Sequence, residues 1–189
     1  MVTIGALISC HEPRVNNGML ERALKSVMAQ ERPVDAIAVA VDRNGDGAAI
    51  TKQRALGMLS TDYTAVLDSD DEWLPHHIRI HEEAIQKTGA DVVYSWFQTE
   101  PPGGDPFPSS FFTDPWDPKN PRHTTTVICA RRDMMLKFGY TSAPDGIYED
   151  DDWKMVLGLI EQDASFYHIP DRSWIWHQGH PRTSGRKWK

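Results

Sequence analysis

Cysteine is nearly absent from this chain: two residues in 189, Cys10 and Cys129. A disulfide framework and a cysteine-based zinc site are thereby excluded, because both need more thiols at closer spacing. Each cysteine ends an apolar run, which predicts two small buried strand residues, although the count alone leaves one bridge between them open. Long apolar runs are missing too. None approaches the roughly 20 residues needed to cross a bilayer, and Leu7-Ile8-Ser9-Cys10 lacks the basic segment and long apolar stretch of a lipoprotein leader. A soluble, cytoplasmic protein with no transmembrane segment is expected. Basic residues are outnumbered, 20 Lys and Arg against 27 Asp and Glu, for a net charge of −7. That argues against broad nucleic-acid binding, which needs clustered cations to neutralise phosphates. Finally, no Gly-x-Ser-x-Gly elbow, Walker loop or Gly-x-Gly-x-x-Gly turn occurs, so hydrolase, P-loop and dinucleotide-dehydrogenase readings lack their motifs.

What remains is an ordinary globular composition, 40% hydrophobic and 25% charged, in a length that suits one domain. Val2 to Cys10 is apolar and reads as a central strand. After a polar loop over 11–18, Leu20, Ala23, Leu24, Val27 and Met28 recur at helical spacing. Ala36 to Val41 reads as a second strand, Ala48 to Leu59 as a helix and Tyr63 to Leu67 as a third strand. This βαβαβ order predicts an α/β fold, Rossmann-like, with a mostly parallel sheet flanked by helices. A helix is expected around Ile78 to Ile85, with His77 and His81 on its polar surface. Further strands are expected over 91–97, 124–130, 165–169 and 173–177, with helices over 131–138 and from Glu149. Residues 101–121 are too rich in Pro, Gly and Asp for a core element, and long loops of that kind are often functional.

The acidic stretch Asp68-Ser69-Asp70-Asp71 follows the third strand. Carboxylates so close together repel unless a cation or hydrogen-bond donors sit among them, and the carboxyl end of a strand in an open α/β sheet is where ligands bind. Its blander reading is an acidic turn capping the next helix. A second cluster, Glu149-Asp150-Asp151-Asp152, opens a helix, where carboxylates favour the macrodipole; four exceed what capping requires. Asp42 to Gly47 imitates the start of an EF-hand loop. However, its twelfth position is Gln53 and a strand precedes it, so the calcium reading fails. His177 and His180 follow a strand-like segment beside a basic tail containing Arg182, Arg186, Lys187 and Lys189.

Taken in order, these stretches resemble family-2 glycosyltransferases of the GT-A fold over nearly the whole chain. Ile8-Ser9-Cys10-His11-Glu12 resembles the family's first strand and turn, Ser26 and Gln30 its Ser-x-x-x-Gln helix, and Lys52 to Gly57 its Ala-Arg-Asn-x-Gly stretch. Leu67-Asp68-Ser69-Asp70-Asp71 resembles its DxD motif, Glu149-Asp150 its Glu-Asp pair, and His177 with Thr183-Ser184 its closing segment. Two departures stand out: Asp42-Arg43-Asn44-Gly45 replaces Asp-Asp-Gly-Ser, and Ala55 replaces the expected Asn. The resemblance implies inverting, metal-dependent transfer from a nucleotide-sugar donor, a UDP-sugar favoured, to a glycan, small-molecule or protein acceptor. It implies Asp150, with Glu149, as catalytic base. Ser9, His11, Glu12, Asp42, Arg54, Asp68, Ser69 and Asp70 would lie at the donor, and Asp70, Asp68 and His177 on Mn2+ or Mg2+. Residues 1–97 would form the donor half and 98–189 the acceptor half, with the 101–121 loop on the acceptor side. Independently of the resemblance, Phe107, Phe111, Phe112 and Trp116 of that loop could stack sugars by themselves, as a binding module would. The rival readings are a nucleotidyltransferase, disfavoured by the lack of a Gly-rich basic phosphate loop, and a non-catalytic carbohydrate- or nucleotide-binding module.

Overall fold

The structure, a computed structural model, describes residues 2–121, 124–125, 127–141 and 151–178. The first half builds a parallel βαβαβ unit from β1 (Ile4–His11), β2 (Ala36–Asp42) and β3 (Tyr63–Asp68), with α1 (Glu12–Asn16) and α2 (Met19–Met28) before β2 and α3 (Ala48–Met58) before β3. β4 (Glu72–Trp73), α4 (His77–Thr88), β5 (Val92–Glu100) and α5 (Ser110–Thr113) follow. The described chain then continues through β6 (Ile128–Arg131), α6 (Arg132–Phe138), α7 (Asp151–Ile160) and β7 (Phe166–His177).

These strands form one sheet in the order β2-β1-β3-β6-β5-β7-β4. β1 pairs parallel with β2 and β3, and β5 parallel with β7, whereas β6 and β4 run antiparallel to their neighbours. The expected α/β architecture is therefore met. β1 is buried along all but its last residue, as a strand covered on both faces must be, and its sequence is accordingly apolar from Ile4 to Ile8 before Ser9. Ile4, Ala6 and Ile8 face the α2 side with Leu20, Ala23 and Val27. Leu7 faces the α3 side with Ala49, Ala55 and Leu56. The crossovers out of β1 and into β3 thus lie on opposite faces. That creates a switch point between the carboxyl ends of β1 and β3, where an open α/β sheet leaves a crevice.

Several expectations are corrected. The 11–18 loop contains the short helix α1. Glu72 and Trp73 form an unanticipated edge strand against Trp174 and Ile175, and the two expected carboxy-terminal strands are a single strand, β7, with register shifts opposite Trp96. His77 and His81 are not surface residues: both are buried. Trp73 stacks on His77 at 4.7 Å, and His77 Nδ1 lies 2.7 Å from Ser173 Oγ. The polar character of α4 comes from Arg79, Glu82 and Glu83, whereas its inner face carries histidine where aliphatic residues are usual. Gln30 explains how that face is held. Its amide donates to Leu74 O (2.9 Å) and accepts from Ile78 N–H (3.0 Å), while Ser26 Oγ accepts from Trp73 N–H (3.1 Å). Cys10 and Cys129 are buried and unbridged.

Candidate functional site

At the switch point Ser9 pairs in register with Asp68, and His11 with Asp42. The turn after β3 closes with Asp71 N–H donating to Asp68 O at 3.1 Å. Its crowded carboxylates each meet a different answer. Asp70 sits in the fork of Arg14, with Nη1 3.0 Å from Oδ1 and Nη2 2.8 Å from Oδ2, a bidentate geometry that suits guanidinium and carboxylate. Arg14 also reaches Ser69 Oγ at 3.3 Å, and Arg22 donates to Asp70 O at 2.5 Å. Glu72 faces Arg22 at 3.3 Å and His177 Nε2 at 2.5 Å. Asp71 is buried and accepts the His177 N–H at 3.0 Å. Burial first, then Asp68 and Asp70, push its carboxyl well above the usual range.

Asp68 faces a further cation, Lys52, at 3.6 Å. Lys52 is 3% exposed, and its Nζ also lies 3.0 Å from Asp151 Oδ2 and against Asp152 Oδ1. Tyr140 covers it, ring centroid 5.9 Å away. Burial alone would discharge this lysine, but Asp152, Asp68 and Asp151 hold its pKa well above normal. One ammonium does not balance three carboxylates. Asp152, raised by burial and by Asp151 and Asp68 against the pull of Lys52, reaches about 7. Lys52 was missed as a site residue, yet a signal was there. It falls on the buried stripe of α3 with Ala49, Ala55 and Leu56, where a charge needs a partner.

The residues expected from the sequence divide. Ser9, Asp68, Ser69 and Asp70 gather at the switch point. His11 ends β1 there, and its Nδ1 is buried without a hydrogen-bond partner among the described residues; Glu12 opens α1. Asp42, beside His11 at the end of β2, and Arg54 are engaged by the 43–47 loop. The Asp42 carboxylate accepts from the amides of Asn44 (3.3 Å), Asp46 (2.9 Å) and Gly47 (2.9 Å). Burial works against its ionisation, but these amides bring its pKa below the usual range. Arg54 is exposed and pairs with Asp46 at 2.7 Å. Glu149, Asp150 and His180 lie outside the described residues; α7 is described from Asp151 onward.

The expected Mn2+ or Mg2+ ligands are not assembled. Both Asp70 oxygens lie in the Arg14 fork, and His177 turns to Glu72. Among the described residues no group of three or more His, Cys, Asp or Glu side chains converges as metal ligands. The carboxylate chemistry suits a hard divalent ion, but in this arrangement Arg14 holds the place, so the residues as disposed do not fit one. Trp116, expected as able to stack a sugar, is engaged within the fold. Its ring lies flat on Phe166 at 4.4 Å and its Nε1 donates to Thr124 Oγ1 at 3.1 Å. Phe111 packs edge-on to Trp96 at 6.1 Å, and Phe112 lies under Arg172 at 4.7 Å. Phe107 is 45% exposed, with its edge on Trp96. The 101–121 loop thus folds back onto β5 and β7, fastened by Asp105 to Trp96 Nε1 at 2.9 Å and to Arg172 at 3.0 Å.

Comparison with known proteins gives a consistent picture. The model of the family described as glycosyl transferase family 2 matches residues 37–138, just over half of the chain. The crystal structure of S. aureus TarS 1–349 in complex with UDP-GlcNAc is similar over 99% of this chain and 62% of that chain, with 14% identity and a TM-score of 0.75. The complex of the same fragment with UDP is similar over 93% and 60%, at 12% identity and a TM-score of 0.71. S. aureus TarS itself is similar over 93% of this chain and 37% of that one, at 13% identity and a TM-score of 0.68. At such identities the likeness is one of fold, and the chain spans about three fifths of the length of the 1–349 structures. No curated protein matches the sequence.

Proposed function

Because the chain belongs to glycosyl transferase family 2, we propose that it moves a sugar from a nucleoside-diphosphate donor, a UDP-sugar before others, to an acceptor hydroxyl with inversion. The observation that carries this reading is the acidic turn Asp68–Asp71 at the switch point of the sheet, joined through Lys52 to Asp151 and Asp152, which follow Glu149-Asp150 in the chain. The UDP and UDP-GlcNAc complexes of the similarly folded TarS favour uridine as the base. In the proposed reaction Asp150 takes the proton of the acceptor hydroxyl as its oxygen forms the new bond to the anomeric carbon. The bond from that carbon to the diphosphate breaks, and its electron pair leaves with the nucleoside diphosphate. General-base help of this kind is typically worth about 10²–10⁴-fold. Glu149 stands beside the base, and Ser9, His11, Glu12, Asp68 and Ser69 line the donor side, with residues 1–97 as the donor half and 98–189 as the acceptor half.

The leaving diphosphate needs positive charge nearby. The family resemblance assigns that to Mn2+ or Mg2+ on Asp70; in this chain such an ion has to displace Arg14. The reading is tested by thermal shift with UDP, GDP, CDP and dTDP, each with Mn2+ and with EDTA. A ligand at 100 times its dissociation constant stabilises the fold by about 2.7 kcal/mol, so a single stabilising base names the donor. The Mn2+ arm reports whether the ion is needed. A folded sample that none of the four stabilises under either condition overturns the transferase reading.

A further inference from the structure

Lys52 has no place in the proposed reaction, yet it is the most deeply enclosed cation of the site. We infer that Lys52 is a positioning residue which clamps the acceptor-side helix α7 to the donor strand β3. The inference rests on the transferase reading above, with Asp150, the chain neighbour of Asp151, as the base. Among the described residues Lys52 touches both sides: Asp68 at the end of β3 (3.6 Å), and Asp151 (3.0 Å) and Asp152 in the first turn of α7. The neighbouring residue strengthens the clamp, since Gln53 Oε1 accepts the Tyr140 N–H at 2.8 Å. α3 therefore grips both the start of α7 and Tyr140, just beyond α6. Helix and turn both carry negative charge, so without a cation between them they repel. A lysine that is 3% exposed cannot be replaced there by solvent. The function of the clamp is geometric. Glu149 and Asp150 precede Asp151 in the chain, so anchoring Asp151 limits where the chain can carry the base. A displacement of about 1 Å between reacting groups costs on the order of 10²-fold in rate.

The test compares wild type with Lys52→Arg and Lys52→Met, adding Lys52→Met/Asp151→Asn in case the single variant does not fold. UDP release from UDP-GlcNAc is followed with water as acceptor, together with hydrogen exchange of the backbone amides over 151–156. The expected result for the charge-removed variants is a KM within about 3-fold of wild type and a kcat lower by about 10²-fold. Exchange should be faster in the first turns of α7 and unchanged in β1 and β3. Lys52→Arg should recover protection and most of kcat. A folded charge-removed variant with kcat within about 3-fold of wild type overturns the inference, as does unchanged protection over 151–156, which can be read even if UDP-GlcNAc is not the donor. Failure of the wild type to be stabilised by any nucleoside diphosphate is a different outcome: it removes the transferase reading itself.

Discussion

His81 offers a stability prediction that can be worked through numerically. The residue is completely buried; its Nδ1 donates to His77 O at 2.6 Å, and its Nε2 has no partner among the described residues. Burial, only partly offset by the His77 carbonyl, pulls its pKa down to about 4, against roughly 6.5 in an unfolded chain. Between those values the unfolded chain binds a proton that the folded one refuses. Stability therefore falls as pH falls from 6.5 towards 4, and the full effect is absent at neutral pH. Integrating the two titrations gives a loss of about 2.5 kcal/mol on going from pH 7.5 to 4.5. His77 and the carboxylates add acid-dependent terms of their own, so the assay must be differential. Urea unfolding of wild type and His81→Leu, a change of similar volume that removes the titrating ring, should be followed across this range. With a slope of about 2 kcal/mol per molar urea, the wild-type midpoint should fall by about 1 M more than that of the variant. Curves that run parallel between pH 7.5 and 4.5 would refute the argument, since they would mean that His81 is protonated in the folded protein or open to water.

Three further outcomes follow from the packing. Asp42→Ala strands three loop amides around a buried cap and should cost about 2–3 kcal/mol in urea unfolding; a cost below about 0.5 kcal/mol would mean that the loop finds other acceptors. Gly158→Ala places a methyl carbon 2.2 Å from the ring of Phe138, where α6 and α7 meet. It should destabilise by about 1–3 kcal/mol, with partial rescue by Phe138→Leu in a double-mutant cycle. Trp116→Ala removes the ring stacked on Phe166 and should lower the melting point, equivalent to about 1–3 kcal/mol. Loss of acceptor binding with an unchanged melting point would return Trp116 to the acceptor side.

The sequence by itself determined the parallel βαβαβ core, because β1 and β3, buried on both faces, must be written as continuous apolar runs, and α2 as a periodic stripe. It also located the acidic turn, since local repulsion among Asp68, Asp70 and Asp71 is visible from their spacing alone. What tertiary structure decided was which charge meets which. Arg14 and Arg22 on Asp70, Arg22 on Glu72, and Lys52 between Asp68 and α7 join residues far apart in the chain, and no local pattern encodes such a pairing. His77 and His81 read as surface because the residues around them are polar, but α4 turns them beneath β7, where Ser173 and Trp73 meet His77 and the backbone of α4 takes the His81 proton. Trp116 reads as a ligand platform, and only the fold shows that Phe166, fifty residues away, is laid against its ring. Burial of a polar or aromatic side chain depends on what the rest of the chain brings to it. Periodicity reports only which face an element presents, and the partner on that face is supplied by the fold.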